Sequence, residues 1–321
     1  MRKDHPNVKM QLNYGGLTDE AGKWNGKVRI VPDNLDLPLR VKKPTAWSIW
    51  NDLFHPDVDE KFIAKVLGIA DLCRRHVYLI LTKRPERMKE LLADDDFHFH
   101  IGWFQAQAIR EFGLPEPESV GPWPFGNCWL GVTAENQEQA DKRIPILLSI
   151  PAALHWVNYG PALGPVDYSK WLAPACSLCN GIMSVDADPY PGGKPCPRCI
   201  NDQGIDPVRI RWLAAEGESG PGARPSHPDW LRSAQHQCST AGVPFLFKQW
   251  GEWAPMGLLA AKGKSIYLAN NGSIISDDAY SAGDGAGLNP CRMVKVGKKA
   301  AGRLLDGREW NEYPDQVAST T

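Results

Sequence analysis

The sequence predicts an α/β fold, a partial parallel (β/α) barrel carrying an inserted zinc ribbon. Three observations lead there. From residue 46 to residue 250, short apolar runs alternate with segments of helical period, the pattern of parallel strands joined by crossover helices. Six of these runs end in tight clusters of polar, Gly and Pro residues, and in barrels of parallel strands the carboxyl ends converge on the face that carries the chemistry. Finally, two C-x2-C pairs stand sixteen residues apart. With 321 residues and 43% hydrophobic content, the chain can bury a sizeable core.

Residues 1–45 read as an irregular amino-terminal segment, with Gly15 and Gly16 adjacent, a short strand at 27–30, and prolines punctuating 32–44. The first barrel strand is 46–50. After the acidic opening Asp57, Asp59 and Glu60, Phe62, Ile63, Val66, Ile69, Ala70 and Leu72 recur at helical spacing. Residues 76–81 are the second strand, and Pro85 opens the next helix, where proline is tolerated in the first turn. Residues 97–126 mix aromatics, Pro and Gly without a clean period and read as a helical excursion plus loop, placed to act as a lid. A buried strand at 127–132 leads into an acid-rich helix start at Glu135 and Glu138, and that helix ends near Leu148. Strands at 154–157 and 210–215 follow. A helix beginning near His227 turns Trp230, Leu231, Ala234 and Cys238 to one face, and Gly242 closes it before the strand 243–247.

The resulting organisation is an amino-terminal segment 1–45, a barrel 46–250 with a zinc-ribbon insert at 173–204, and a carboxy-terminal appendage 251–321. The appendage is rich in Gly, Ala, Ser and Asn, shows one strand at 265–268, and ends in a basic stripe of Lys295, Lys298, Lys299 and Arg303. A solvated hairpin or tail is the ordinary use of such a stripe; phosphate contact is the functional one.

Thirty-six basic and 37 acidic residues leave a formal charge of -1, which argues against a globally basic nucleic-acid binder while leaving room for a local patch. No run approaches the ~18 consecutive apolar residues of a membrane span, and no apolar stretch follows the basic residues at Met1–Lys3 to make a signal peptide. The expectation is a cytoplasmic protein with no membrane partner. In that reducing compartment eight cysteines are not a disulfide framework. Cys73, Cys128, Cys238 and Cys291 are isolated, and the first three sit in apolar contexts as small core residues. Cys176, Cys179, Cys196 and Cys199 have the spacing of a closed tetrahedral zinc site, which is structural because it keeps no open coordination position; an iron–sulfur cluster or no metal are the alternatives. The turn-rich stretch between the pairs is too short for a core, so the metal supplies much of its folding free energy.

The polar clusters nominate a shared pocket. Asn51 and Asp52 end the first strand, with Asp52 the better ligand-binding candidate than His55; the competing roles are a helix cap for Asp52 and a surface position for His55. Lys83 and Arg84 bring two cations to the next strand end, suited to a carboxylate or phosphate, or else left as solvent-exposed charge. Glu135 is either a pocket acid or a first-turn residue favoured by the helix dipole. Glu216, Gly217, Glu218, Ser219, Gly220 and Gly222 form a Gly-rich turn that resembles a ligand cradle. Lys248 and Gln249 follow an apolar strand and point their polar ends at the same mouth. Trp250 and Trp253 offer stacking surfaces, although core packing is the commoner use of Trp. Asp52, Lys83, Glu135, Glu218 and Lys248 are the catalytic candidates; Asn51, Arg84, Glu216, Gly217, Ser219, Gly220 and Gln249 are the ligand-binding ones.

Taken together, Asn51-Asp52-Leu53-Phe54-His55, Leu81-Thr82-Lys83-Arg84-Pro85-Glu86-Arg87-Met88, Trp129-Leu130-Gly131-Val132-Thr133-Ala134-Glu135, Leu163-Gly164-Pro165-Val166-Asp167, Gly217-Glu218-Ser219-Gly220-Pro221-Gly222-Ala223-Arg224-Pro225 and Phe247-Lys248-Gln249-Trp250-Gly251 resemble the phage protein family named after gene products 37 and 68. The resemblance extends over about residues 27–313. It implies a bacterial host, a partial barrel of the radical S-adenosylmethionine type, and an amino-terminal cysteine cluster ending Cys-x-x-Cys-Tyr that holds a [4Fe-4S] cluster. This chain departs from that pattern, because no cysteine precedes Cys73 and no Cys-x-x-Cys-Tyr occurs. Three readings remain: the reading frame begins upstream, a partner chain carries the iron–sulfur segment, or the radical chemistry is lost. A second departure is Gly160, where many members of the family carry an acidic residue before the proline.

Two functions stand against each other. One is a radical-S-adenosylmethionine-like barrel that binds S-adenosylmethionine or a nucleotide-like ligand and acts on nucleic acid or a nucleoside. The other is a non-catalytic zinc-ribbon protein that binds nucleic acid or a phage or host protein. The metal is separately testable: Cys176→Ser is expected to lower the zinc content measured by elemental analysis, and an unchanged content removes Cys176 from the ligand set.

Overall fold

Burial on both faces, not propensity alone, makes one sheet of the apolar runs: every residue of Cys128–Thr133 and of Leu154–Tyr159 is buried. The computed structural model describes residues 15–20, 24–49, 51–115, 122–172, 184–185, 194–195, 209–256, 263–283 and 286–314. Its strands, in chain order, begin with β1 (Ala46–Ile49), β2 (Val77–Thr82), β3 (Cys128–Thr133) and β4 (Leu154–Tyr159). The short β5 (Ser184–Val185) and β6 (Lys194–Pro195) come next, then β7 (Trp212–Glu216) and β8 (Phe245–Gln249). The six longer strands pair in parallel in the order β1-β2-β3-β4-β7-β8 and curl into a half barrel. The strands expected from the apolar runs are these six.

On β3, Cys128, Leu130 and Val132 face the helix-covered main core, whereas Trp129 faces a second apolar layer on the other side of the sheet. Period-2 alternation places Trp156 of β4 and Trp212 of β7 in that same layer. Trp156 lies across Gly131 and donates its indole N–H to the carbonyl of Trp129 at 3.2 Å. Glycine is required beneath it: a Cβ at Gly131 would stand 2.4 Å from the ring. The carboxy-terminal strap closes this layer, since Trp212 Nε1 donates to the carbonyl of Glu312 at 3.0 Å and the Tyr313 ring centroid lies 5.8 Å from that of Trp212.

The helices Glu60–Leu72, Gln137–Leu148 and Pro228–Ala241 start and stop on local chemistry. Asp59 accepts from the backbone N–H of Lys61 at 2.9 Å and of Phe62 at 3.3 Å, and Asn136 accepts from Gln139 N–H at 3.0 Å. Gly242 ends the third helix at φ 66°, the left-handed position glycine occupies without steric cost.

Three expectations need correction. The segment expected to be a helical excursion plus loop, placed as a lid, does contain a helix, the 18-residue Asp95–Phe112, and what needs correction is its place. Its period is obscured because Phe97, Ile101 and Ala108 face the core while Phe99, Trp103 and Phe112 are exposed, so apolar residues occupy two faces. It packs on the helix Glu60–Leu72, with Gly68 close against the carbonyl of Ile101, and belongs to the outer layer. Residues 27–30 form no strand; the local pairing is a bridge between Thr18 and Trp24. The appendage is more than a tail with one strand: β9 (Trp253–Pro255), β10 (Ser265–Leu268), β11 (Ile274–Ile275) and β12 (Cys291–Lys295) form an antiparallel sheet in the order β11-β10-β12-β9. Each strand is five residues or fewer and gains stability only from its neighbours, which is why the pattern is faint in the sequence.

Cys73, Cys128 and Cys238 are fully buried, as expected of small core residues. The zinc quartet lies outside the described residues; between its two pairs, the backbones of β5 and β6 run antiparallel. Among the described residues, no helix is long and apolar enough to cross a membrane.

Gly131→Ala pushes a methyl group into the Trp156 indole, and overpacking of this kind costs about 1–3 kcal/mol. The expected outcome is a lower denaturant midpoint at unchanged m-value in an equilibrium unfolding experiment.

Candidate functional site at the carboxyl edge of the sheet

Side chains that leave the carboxyl ends of neighbouring parallel strands must share a small area, and here they do so as ion pairs. Lys83, just beyond β2, places Nζ 2.5 Å from Glu135 Oε1. The other Glu135 oxygen accepts from Arg143 Nη1 at 2.8 Å, and the same nitrogen reaches the Thr133 carbonyl at 2.7 Å. Glu135 is only 12% exposed. Burial raises its carboxyl pKa, but the hydrogen bond and charge of Lys83, helped by Arg143, outweigh this and hold it below the usual carboxylate value. Its backbone is fixed too, because Leu163 N–H donates to the Glu135 carbonyl at 2.8 Å. The first-turn role is excluded: Asn136 is the cap and the helix begins at Gln137.

Beyond β7, Glu218 forms a bidentate pair with Arg224, whose Nε and Nη2 each lie 2.8 Å from a carboxylate oxygen; Arg224 N–H adds a third bond at 2.7 Å. The Arg224 hydrogen bonds hold the Glu218 carboxyl below its ordinary pKa against the effect of burial, and the charge of Lys83 adds to the lowering. Lys83 therefore acts on acids from both β3 and β7. Arg224 in turn feels Glu135, so these four groups form one electrostatic cluster.

Glu216, the last residue of β7, accepts from Lys248 Nζ at 2.8 Å and Gln249 Nε2 at 3.3 Å, both from β8. Gln249 also donates to Ser219 Oγ at 3.1 Å. A register shift between Ala215 and Glu216 sets Glu216 opposite Gln249 and brings two polar β8 side chains within its reach.

At the β1 edge, Asp52 holds a left-handed backbone, φ 48°, accepts from Thr82 Oγ1 at 2.5 Å, and forms a close ion pair with Arg84. Thr82 Oγ1 in turn accepts from Arg84 N–H at 2.9 Å. The Asp52 carboxylate thus ties β1 to β2, and the helix-cap alternative fails because Asp59 caps the following helix. His55 is not a surface residue: its side chain is 12% exposed, with Nδ1 accepting from Asp57 N–H at 3.2 Å. Asn51 is exposed beside this pair.

The Gly-rich turn, expected as a ligand cradle, has a packing role. A Cβ at Gly217 would stand 1.9 Å from the carbonyl oxygen of Trp250, and one at Gly251 would stand 2.0 Å from the carbonyl oxygen of Glu218. The two turns interlock backbone to backbone, and glycine is the residue that permits it. Gly220 and Gly222 have open space around them and positive φ. The expected stacking surfaces are instead packed: Trp250 is 2% and Trp253 is 5% exposed, and their indole N–H groups donate to the carbonyls of Leu304 and Ala223.

Sequence reasoning missed three members. Arg143 sits in mid-helix with no motif to mark it. Arg224 lies within the Gly-rich segment and needed only its spacing from Glu218. Asn158, near the end of β4, is buried with Oδ1 unpartnered. Its polarity amid an all-buried strand was the available signal.

The class defined here is a mixed α/β protein with a curled half barrel of parallel strands whose carboxyl edge carries a compensated cluster of carboxylates and cations. The chain belongs to the family described as a protein of unknown function (DUF5131), whose model matches residues 4–314. Neither a curated protein nor a solved structure matches it.

Glu135 has a lowered pKa in the folded chain, so its pairing contributes stability above the ordinary value of 4.5, and that contribution is lost as pH falls through the folded value. Glu135→Gln is expected to lower the melting temperature at pH 7 and to flatten its decline below pH 4.5, read by thermal melts across that range.

Proposed function

We propose that the chain is a partial barrel of the radical S-adenosylmethionine type that binds S-adenosylmethionine or a nucleotide-like ligand at its carboxyl edge and acts on nucleic acid or a nucleoside. The observation that supports this reading is the convergence of Lys83, Glu135, Glu218 and Arg224, from three different strand ends, into one electrostatic cluster. A ligand bearing both an anionic and a nitrogenous group can replace these internal partners one for one, an anion meeting Lys83 or Arg224 and a donor group meeting Glu135 or Glu218. Lys83 is about half exposed and is the most accessible of the cations that pair there with Glu135.

The iron–sulfur cluster of that chemistry does not fit the described residues. Iron takes thiolates. The thiols of Cys73, Cys128 and Cys238 are buried and pushed up in pKa by that burial, and the Cys291 thiol is raised for the same reason. No radical step is assigned to these residues, and the reading rests on binding. Structural zinc at Cys176, Cys179, Cys196 and Cys199 is part of the proposal; the antiparallel β5–β6 pairing between the two pairs supports a stapled hairpin.

The rival reading, a non-catalytic protein that contacts nucleic acid or a phage or host protein, draws on exposed Lys298 and Lys299. Arg303 contributes less to such a stripe than its sequence position suggests, because its guanidinium is engaged by Asn311 and Glu309.

Titration calorimetry with S-adenosylmethionine and with nucleoside phosphates tests the main reading. Lys83→Ala and Arg224→Ala are each expected to weaken binding about tenfold or more, the size of one charge-assisted hydrogen bond. No binding by the wild-type chain, or unchanged affinity in both variants, overturns it; salt-dependent binding of DNA or RNA that is lost on replacing Lys298 and Lys299 favours the rival.

A further inference from the structure

Lys298 and Lys299 stand on a short helix, Lys298–Ala301, whose two flanks are pinned to one corner of the mouth. On the leading side, Val296 N–H and Gly297 N–H donate to the Glu252 carbonyl at 3.0 and 3.1 Å, and Glu252 N–H donates to the Glu218 carbonyl at 2.8 Å. Glu252 Oε1 also accepts from Gly220 N–H at 3.2 Å. On the trailing side, Trp250 N–H donates to the Gly302 carbonyl at 3.0 Å and Trp250 Nε1 to the Leu304 carbonyl at 2.8 Å. Trp250 and Gly251 are the residues that interlock with Gly217 and Glu218, so the basic stripe is part of the rim and a single residue, Glu252, links its backbone to that of Glu218. Lys264 joins the stripe from β10, because its carbonyl accepts from Lys295 N–H at 2.8 Å.

The two sets of cations differ in compensation. Lys83, Arg143, Arg224 and Lys248 each pair with a carboxylate in the mouth. Lys264, Lys298 and Lys299 are exposed and Lys295 is half-buried, and among the described residues none of these four pairs with a carboxylate. A charge-balanced mouth thus adjoins an uncompensated row of lysines in a chain whose formal charge is -1, and such a row attracts a polyanion. We propose that the substrate is a nucleotide within a single-stranded polynucleotide, its flanking phosphates carried by Lys264, Lys295, Lys298 and Lys299 while the nucleotide itself meets Lys83 and its neighbours. The proposal rests on the reading of the carboxyl edge as a nucleotide site. Single strands are specified because Glu135 is recessed, and a base held in a duplex stack does not reach a recessed group.

Fluorescence anisotropy with labelled oligothymidylate and oligouridylate, run beside calorimetry with thymidine and uridine monophosphates, tests this on the full chain. Combined Lys298→Glu and Lys299→Glu is expected to weaken strand binding about tenfold or more and to affect mononucleotide binding far less. Replacing both by alanine is expected to reduce the slope of log affinity against log salt by about 1.4, two phosphate contacts at ~0.7 each, and serves as the main variant if charge reversal disturbs the fold. Lys83→Ala is expected to weaken the binding of strand and mononucleotide alike, which the lysine row acting by itself does not predict. Strand affinity unchanged in the lysine variants overturns the proposal. Strand affinity indifferent to Lys83→Ala also overturns it and returns the lysines to the rival reading. A wild-type chain that binds mononucleotides but holds a strand no tighter overturns this proposal alone; one that binds neither probe overturns the reading of the mouth and the proposal with it.

Discussion

In-register parallel pairing of six short strands is the constraint on which the remainder rests. Side chains alternate across a strand, so a one-residue slip would turn Trp129, Trp156 and Trp212 into the helix-covered core and send Leu130, Val157 and Leu213 the other way. Both faces are buried, and both resist the slip. The same register decides which polar side chains emerge together at the carboxyl edge. Asn158 stands above Trp156 two residues further along β4, and Glu216 stands four residues beyond Trp212 at the end of β7.

Charge compensation follows from that crowding. Lys83, Arg143 and Glu135 form one triad; Glu218 with Arg224, Glu216 with Lys248, and Asp52 with Arg84 form pairs. Partly buried carboxylates persist in the charged state only when cations or hydrogen-bond donors offset their desolvation, and the lowered pKa values of Glu135 and Glu218 reflect that balance. A mouth built this way is preorganised and, at the same time, costly to enter. Under the proposed binding reading, a ligand must return as many charge-assisted bonds as it displaces, which favours one with groups of both signs over a purely anionic or purely apolar one. The backbone interlock of Gly217 with Trp250 and Gly251 with Glu218 holds the Glu216 and Glu218 corners together.

Some elements were legible because their signal is local. The helices Glu60–Leu72 and Pro228–Ala241 each carry a cap and one apolar face, and the six barrel strands are apolar runs cut by turn residues. The helix Asp95–Phe112 was obscured by its exposed Phe99 and Trp103, which fill in the polar face that a period search needs. The antiparallel sheet β9–β12 was obscured because its strands are short and owe their pairing to partners up to 42 residues away, as Lys295 is from Trp253. Trp250 and Trp253 illustrate a further limit: position at a strand end suggested a stacking surface, while their indole N–H groups found backbone carbonyls and their rings found the core.

Sequence alone determined the α/β class, the alternation of strand and helix, the position of the polar strand ends, and the candidate acids with Lys83, Arg84 and Lys248 among the cations, since each is fixed by residue type and local spacing. Tertiary structure alone decided who pairs with whom. Glu135 could have been a helix-dipole residue and became the partner of Lys83 and Arg143; Gly160 proved to be crowded by Glu216 and Asn158. These outcomes depend on distances between strands that are far apart in the chain, and such distances are set by packing of the whole sheet, which no local pattern encodes.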